Sequence, residues 1–418
     1  MVEFAHRWLF AGRGACAALV TLAAGLRPIH ATGTWRTAAG SELRVEILEP
    51  MPAPATTRAP VVLYLKNLAS PRIGTEDDVS ILRDLRAAGH LVAIIDFAGR
   101  TDARVPTLHR DLGKLRDDIH AHTLLGDHAI DGTRVYLVPE GCRLVRDVLF
   151  YADARRPLAL DIIHPSRPRQ PVGAVLEFSC DNRDRFGNGS LSICSDTLLD
   201  GAAAAGLIVA MADHPVAPPY KGIDAMPESA RRIKAAVRTL RARVASLGGS
   251  GAIVPVGFSR GSGMALMLVT TAGKTEFEGF GEHVGVSSDV QGAVVMSGRF
   301  TYLDLLPDDT MIPRYTQAWG PRDTARATWR AHGALDYLQT PTLPLFLTIN
   351  ATESPEARHQ MQVLRDRLTA LGSPFTYVPE EEPRGHKVAL DPAVLTPLHA
   401  YLRKRLGPPN HAMGTHGD

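Results

Sequence analysis

The stretch "GAIVPVGFSRGSGMALML" (residues 251–268) places Ser259 between Gly257 and Gly261, each two positions away. Before the serine, "AIVPVGF" is a near-continuous apolar run of the length and composition of a strand buried on both faces. After it, "GSGMALML" opens a helix. A strand that turns directly into a helix must bend sharply, and small residues on either side allow the close backbone approach this requires. The serine then stands above a helix N-terminus, where developing negative charge is favoured. Spacing and context together point to a nucleophile. The chain holds no second G-x-S-x-G box, and Ser250 and Ser262 read as loop and helix-start residues.

A serine becomes reactive only beside a base, and the base needs a group that orients it. On a strand-turn-helix architecture the expected order is serine, acid, histidine. "PLFLTINATESPEA" (344–357) is a buried strand running into a loop that carries Glu353. "FTYVPEEEPRGHKVAL" (375–390) is a short strand whose loop presents His386 directly after a glycine. Both side chains fall at the C-terminal ends of strands, the edge where the serine turn lies. Asp304, in "GRFTYLDLL" (298–306), competes with Glu353 for the role of acid.

The rest of the chain alternates in the same way. "VVLYLKN" (61–67), helical "TEDDVSILRDLRAAGH" (75–90) and "LVAIIDF" (91–97) form a βαβ pattern, followed by the charged helix "LHRDLGKLRDDIHAHTL" (108–124). The segment 134–165 reads as three antiparallel strands, and further strand–helix units follow to residue 408. The fold class expected is α/β: a mostly parallel sheet with helices on both faces and an antiparallel lead-in. Residues 60–99 echo 171–216 in outline but lack a glycine-boxed serine. Residues 34–125 read either as a non-catalytic half-repeat or as a βαβ unit that shares only the outline common to all such units, and 130–408 as the catalytic part with an insertion at 299–340.

With 46 basic and 44 acidic residues among 418, net charge +2, the chain carries no electrostatic footprint for nucleic acid or an anionic membrane. Arg7 and Arg13 precede an apolar run from Ala15 to Leu26, broken at Pro28 before small residues near Ala31. This has the layout of a secretory signal peptide over 1–31, so a secreted or periplasmic location is expected; a plain N-terminal extension is the alternative. Beyond the leader lie Cys142, Cys180 and Cys194. In an oxidising compartment Cys180 and Cys194 can pair; otherwise all three serve as small buried hydrophobes. No spacing resembles a metal site, and no cofactor is implied.

The elbow "VGFSRG", the acid loop "INATES" and the late "RGHK" together resemble the α/β-hydrolase superfamily over roughly residues 134–408. Within it the chain is similar to bacterial secreted esterases of plant polysaccharide, of the acetyl-xylan, feruloyl and glucuronoyl types. The resemblance implies a catalytic Ser259, His386 and Glu353, and an oxyanion held by the Arg260 N–H with an N–H of Cys180 or Asp181. An arginine after the nucleophile also occurs in glucuronoyl esterases, although the rest of their elbow motif is missing here. The glycines of the lipase oxyanion loop are replaced by "CDNRDRFGNGS" (180–190), from which Asn182 can also donate. His214 and Tyr220, after a strand, and Trp319 in the insertion are candidate substrate contacts, with packing of the insertion's own small core as the alternative for its aromatics. The partner implied is a small-molecule or oligosaccharide ester. Two rival readings stay open: a peptidase or amidase of the same fold, and a carbohydrate-binding module with a vestigial triad.

Overall fold

The fold is described from a computed structural model, covering residues 31–407 except 38–39, 52–57, 69–75, 101–108, 122–124, 126–127, 153–156, 169, 179–184, 186–205, 214–227, 382, 384 and 387–391. Within these residues the apolar runs form two sheets. The first contains β1 (Ala31–Arg36), β2 (Glu42–Leu48), β3 (Ala59–Lys66), β4 (Leu91–Asp96) and β5 (Ile130–Pro139) in the order β1-β2-β4-β3-β5. β3 runs parallel to both β4 and β5, while β2 pairs antiparallel with β1 and β4. Helix α1 (Asp78–Ala87) links β3 to β4, and α2 (His109–His120) lies between β4 and β5. Asp77 starts α1 by accepting the Ser80 amide at 2.8 Å.

Why β3 is apolar at nearly every position is clear from its surroundings. Val61, Leu63 and Leu65 face a core shared with Leu115 and Ile119 of α2, while Val62 and Tyr64 face Ile81, Leu82 and Leu85 of α1. Both faces are covered, so polar alternation disappears.

The second sheet contains β6 (Cys142–Tyr151), β7 (Leu158–Pro165), β8 (Val172–Phe178), β9 (Ile208–Ala212), β10 (Gly249–Phe258), β11 (Ala293–Met296), β12 (Leu345–Thr348) and β13 (Phe375–Tyr377). Their order is β13-β12-β11-β10-β8-β9-β7-β6. From β13 to β9 the neighbours are parallel; β7 pairs antiparallel with β9 and with β6. Helices α3 (Glu228–Ser246), α4 (Arg260–Thr270) and α7 (Pro355–Ala370) cover one face. The opposite face packs on α8 (Pro392–Leu406), with Leu398, Leu402 and Leu406 against Val254, Val256 and Phe346. That same cluster takes in Val62, Tyr64 and Ile81, so the two sheets share one core. Between β11 and β12 stand two short helices, α5 (Ile312–Trp319) and α6 (Arg326–His332).

The α/β class, the antiparallel lead-in and the helix-covered parallel sheet agree with the sequence reading. One strand differs. Residues 134–139, read as the first of three antiparallel strands over 134–165, instead belong to β5, which pairs parallel with β3 in the first sheet. The crossover through α2 returns the chain beside β3, supplying the second neighbour that a strand buried on both faces needs. The chain then changes sheets at Glu140–Gly141, where the Gly141 amide donates to the Tyr64 hydroxyl at 2.9 Å. The expected leader (1–31) falls outside the described residues except for Ala31, which begins β1. The helix read in "SDTLLDGAAAAG", and the Cys180–Cys194 pair, lie outside them too. Cys142 is buried.

Candidate active site

Residues 257–261 form a tight elbow between β10 and α4. Ser259 holds φ 55°, ψ −120°, a conformation that side-chain-bearing residues avoid. Its amide donates to the Met296 carbonyl of β11 at 2.9 Å, which fixes the turn on the neighbouring strand. A Cβ on residue 257 would collide with the Gly261 carbonyl, so the glycine before the serine is a steric requirement.

His386 and Glu353 reach the same edge from separate loops. β12 ends at Thr348, and Glu353 stands just before Ser354, which caps α7 by accepting the Ala357 amide. β13 ends at Tyr377 and delivers the loop with Gly385 (φ +66°) and His386. The two loops are stapled together: the Gly385 amide donates to the Thr352 hydroxyl at 2.9 Å and the Asn350 side-chain carbonyl at 3.2 Å. Asn350 also donates to Glu380 at 2.8 Å. Asn350 and Thr352 lie within the "INATES" loop but had no role in the sequence reading; a hydrogen-bonding pair just before the acid was the signal available.

The result is a continuous relay. His386 Nδ1 lies 2.7 Å from Glu353 Oε2, and Nε2 lies 2.8 Å from Ser259 Oγ. A carboxylate can only accept, so Nδ1 carries the proton of the neutral ring and Nε2 accepts from the serine. The imidazole also rests against the Phe258 ring, centroids 4.7 Å apart. Glu353 is buried, which pushes its carboxyl up, but hydrogen bonds from His386, from Ser297 at 2.6 Å and from the Ser354 amide at 2.9 Å outweigh burial and hold it below its ordinary range. It is therefore an anion at neutral pH. Sequence reasoning missed Ser297. The rival acid Asp304 instead faces His359 at 2.9 Å and does not reach His386.

The relay opens into a cleft of about 390 Å³. Arg260, Met264 and Met267 of the elbow helix form one wall, and Arg299, Tyr302 and Tyr315 of the 299–340 insertion form another. Arg299 is fixed by Asp309, with contacts of 2.7, 2.8 and 3.2 Å. Trp319 does not line this cleft. It stacks on Tyr315 (centroids 4.8 Å) and on His332 (4.0 Å), both of which do line it, so it backs the wall as part of the insertion's aromatic cluster with Tyr302 and Trp329. Arg260 is the first residue of α4, directly after Ser259, and its side chain lines the cleft. Cys180, Asp181, Asn182, His214 and Tyr220 lie outside the described residues. Among the described residues no group of three or more His, Cys, Asp or Glu side chains is arranged to hold a metal.

The sequence matches no protein-family model and no curated protein. Solved structures do resemble it. One is a truncated form of a carbohydrate esterase from gut microbiota, at 16% identity, with 63% of this chain and 95% of that one covered and a TM-score of 0.53. Another is a bifunctional GH43-CE protein of Bacteroides eggerthii, at 17% identity, covering 63% of this chain and 38% of that one, TM-score 0.52. A native esterase of the planctomycete Thermogutta terrifontis aligns at 17% identity over 65% and 97%, with a TM-score of 0.49. The chain has the α/β-hydrolase fold. At this identity the first two likenesses establish the fold and nothing finer. In the α/β-hydrolase frame Ser259, Glu353 and His386 follow β10, β12 and β13, all at one edge of the parallel sheet.

Proposed function

We propose that this chain is a serine-dependent carboxylic ester hydrolase, exported to the periplasm or medium, that acts on acyl or uronoyl esters of plant-type carbohydrate. The observation that carries the reading is the unbroken hydrogen-bonded relay from Glu353 through His386 to Ser259, opening into a substrate-sized cleft. Ser259 attacks the ester carbonyl as His386 Nε2 takes its proton; Glu353 holds the imidazole in the required tautomer and stabilises its cation. The tetrahedral oxyanion is received by the Arg260 N–H, with a second donor from Cys180 or Asp181. His386 then protonates the leaving alcohol. Water, deprotonated by the same imidazole, releases the acid and restores the serine.

The carbohydrate part of the reading is supported by the sequence resemblance and by the cleft wall. There the rings of Tyr302 and Tyr315 stand beside the polar groups of Arg299, Thr310 and His332, a combination of apolar faces and hydrogen-bonding groups suited to a sugar ring. The test is hydrolysis of p-nitrophenyl acetate and of acetylated xylo-oligosaccharides by the wild type beside Ser259→Ala. Turnover by the wild type with loss of about a thousandfold or more in the variant is expected. Equal activity in both would remove Ser259 from the mechanism.

A further inference from the structure

Ser297 is the first residue past β11 and has φ +43°, a left-handed conformation in which glycine is the unstrained choice. It is buried, and each of its polar groups is committed. The amide donates to the Thr348 carbonyl of β12 at 3.2 Å. The carbonyl accepts from the Ser262 hydroxyl in the first turn of α4 at 3.2 Å. The hydroxyl donates to Glu353 Oε2 at 2.6 Å, the same oxygen that receives His386. A non-glycine residue persists in such backbone only where its surroundings hold it there, and the one feature that serine has and glycine lacks here is the hydroxyl on the acid.

We propose that Ser297 is a positioning residue of the relay: its hydroxyl fixes the Glu353 carboxylate in the orientation His386 requires. This rests on the hydrolase reading above. A glutamate side chain has three torsions, and one bond to a half-exposed histidine does not lock them. With the Ser354 amide on Oε1 and Ser297 on Oε2, both oxygens are held before the histidine arrives. Because Ser297 is bonded to β12 and to α4 through its backbone, it also ties the acid to the elbow. The remaining charged or titratable groups on the cleft are Arg260 of α4, Arg299 and Tyr302 before α5, Tyr315 of α5, His332 of α6 and Glu356 of α7. None of these six hydrogen-bonds Glu353.

The test compares Ser297→Gly and Ser297→Ala with the wild type. It reads kcat/KM for p-nitrophenyl acetate against pH, the fraction of sites labelled by a fluorophosphonate, and the melting temperature. Per labelled site, both variants should lose about ten- to thirtyfold in kcat. Their acid limb should move to higher pH, since a carboxylate that shares its charge with one fewer donor binds the imidazolium more strongly. Ser297→Gly should melt above Ser297→Ala because it alone relieves the positive φ. Equal activity losses beside unequal stabilities separate positioning from support of the fold. A Ser297→Gly protein with wild-type kcat and an unmoved acid limb would overturn this proposal alone. A wild type that neither turns over nor takes the label would overturn the hydrolase reading and this proposal with it.

Discussion

At Ser259 the chain keeps a backbone geometry that costs about 1–3 kcal/mol for any residue with a Cβ. The neighbouring contacts over-determine it: the amide is tied to Met296, and the first turn of α4 closes on the Ser259 carbonyl through the Ser262 amide at 3.1 Å. The strain is the consequence of presenting Oγ at the head of a helix, beside His386. If this is right, Ser259→Gly removes the strain along with the nucleophile. Calorimetry should show a higher melting temperature in a protein without esterase activity; a lower one would mean the elbow is not strained as described. The glycine-boxed serine was legible in the sequence because three physical demands (tight turn, small flanks, apolar strand) leave three separate marks. Ser297 left none. Its importance lies in a torsion angle and in a contact with a residue 56 positions away, neither of which has a compositional trace.

Among the elements, the ends of β12 and β13 are the best-read part of the site. A buried run ending in a loop acid, and a short strand ending in Gly-His, sit at the edge the parallel sheet dictates. β5 was misread because a strand's own residues announce that it is a strand but not which strand it pairs with. Its partner β3 lies about 70 positions earlier in the chain. The join between the sheets also rests on a contact the sequence conceals. Arg143 of β6 reaches to Glu76 at 2.7 and 2.8 Å and to Asp84 at 2.7 Å, clamping α1 onto the second sheet. The Arg143 guanidinium lowers the Glu76 carboxyl from 4.5 to about 2. A folded-state value below the unfolded one means stability that is present above the unfolded pKa and lost as pH falls through the folded one. Arg143→Ala should therefore lower the melting temperature by about 2–4 °C at neutral pH. The gap between variant and wild type should shrink below pH 4.5 and close near pH 2. A gap that persists at the acid end would show that the loss is one of packing rather than charge.

For the molecule as a whole, the first sheet and the catalytic sheet are built as one body with a common core, in which Val62, Tyr64 and Ile81 meet Val254, Val256 and Leu398. The α/β class and the layered order could be read from alternating apolar runs and amphipathic helices. The continuity of the two sheets could not, because it depends on which faces α1 and α8 share. In the first sheet the β3–α1–β4 unit is flanked by β5, which pairs with β3. The insertion between β11 and β12 gathers its aromatics into a cluster of its own, yet two of them, Tyr302 and Tyr315, still form a wall of the cleft. The Ser259–His386–Glu353 relay thus stands at the edge of the parallel sheet, while one wall of the cleft comes from the segment between β11 and β12.

If Ser259 is an activated nucleophile, intact-protein mass spectrometry after exposure to a fluorophosphonate will reveal it. A single adduct on the wild type, mapped by peptide digestion to Ser259, absent from Ser259→Ala and slowed at least a hundredfold in His386→Ala, is the result expected. An unmodified wild type, or an adduct at any other residue, would show that Ser259 is not the nucleophile.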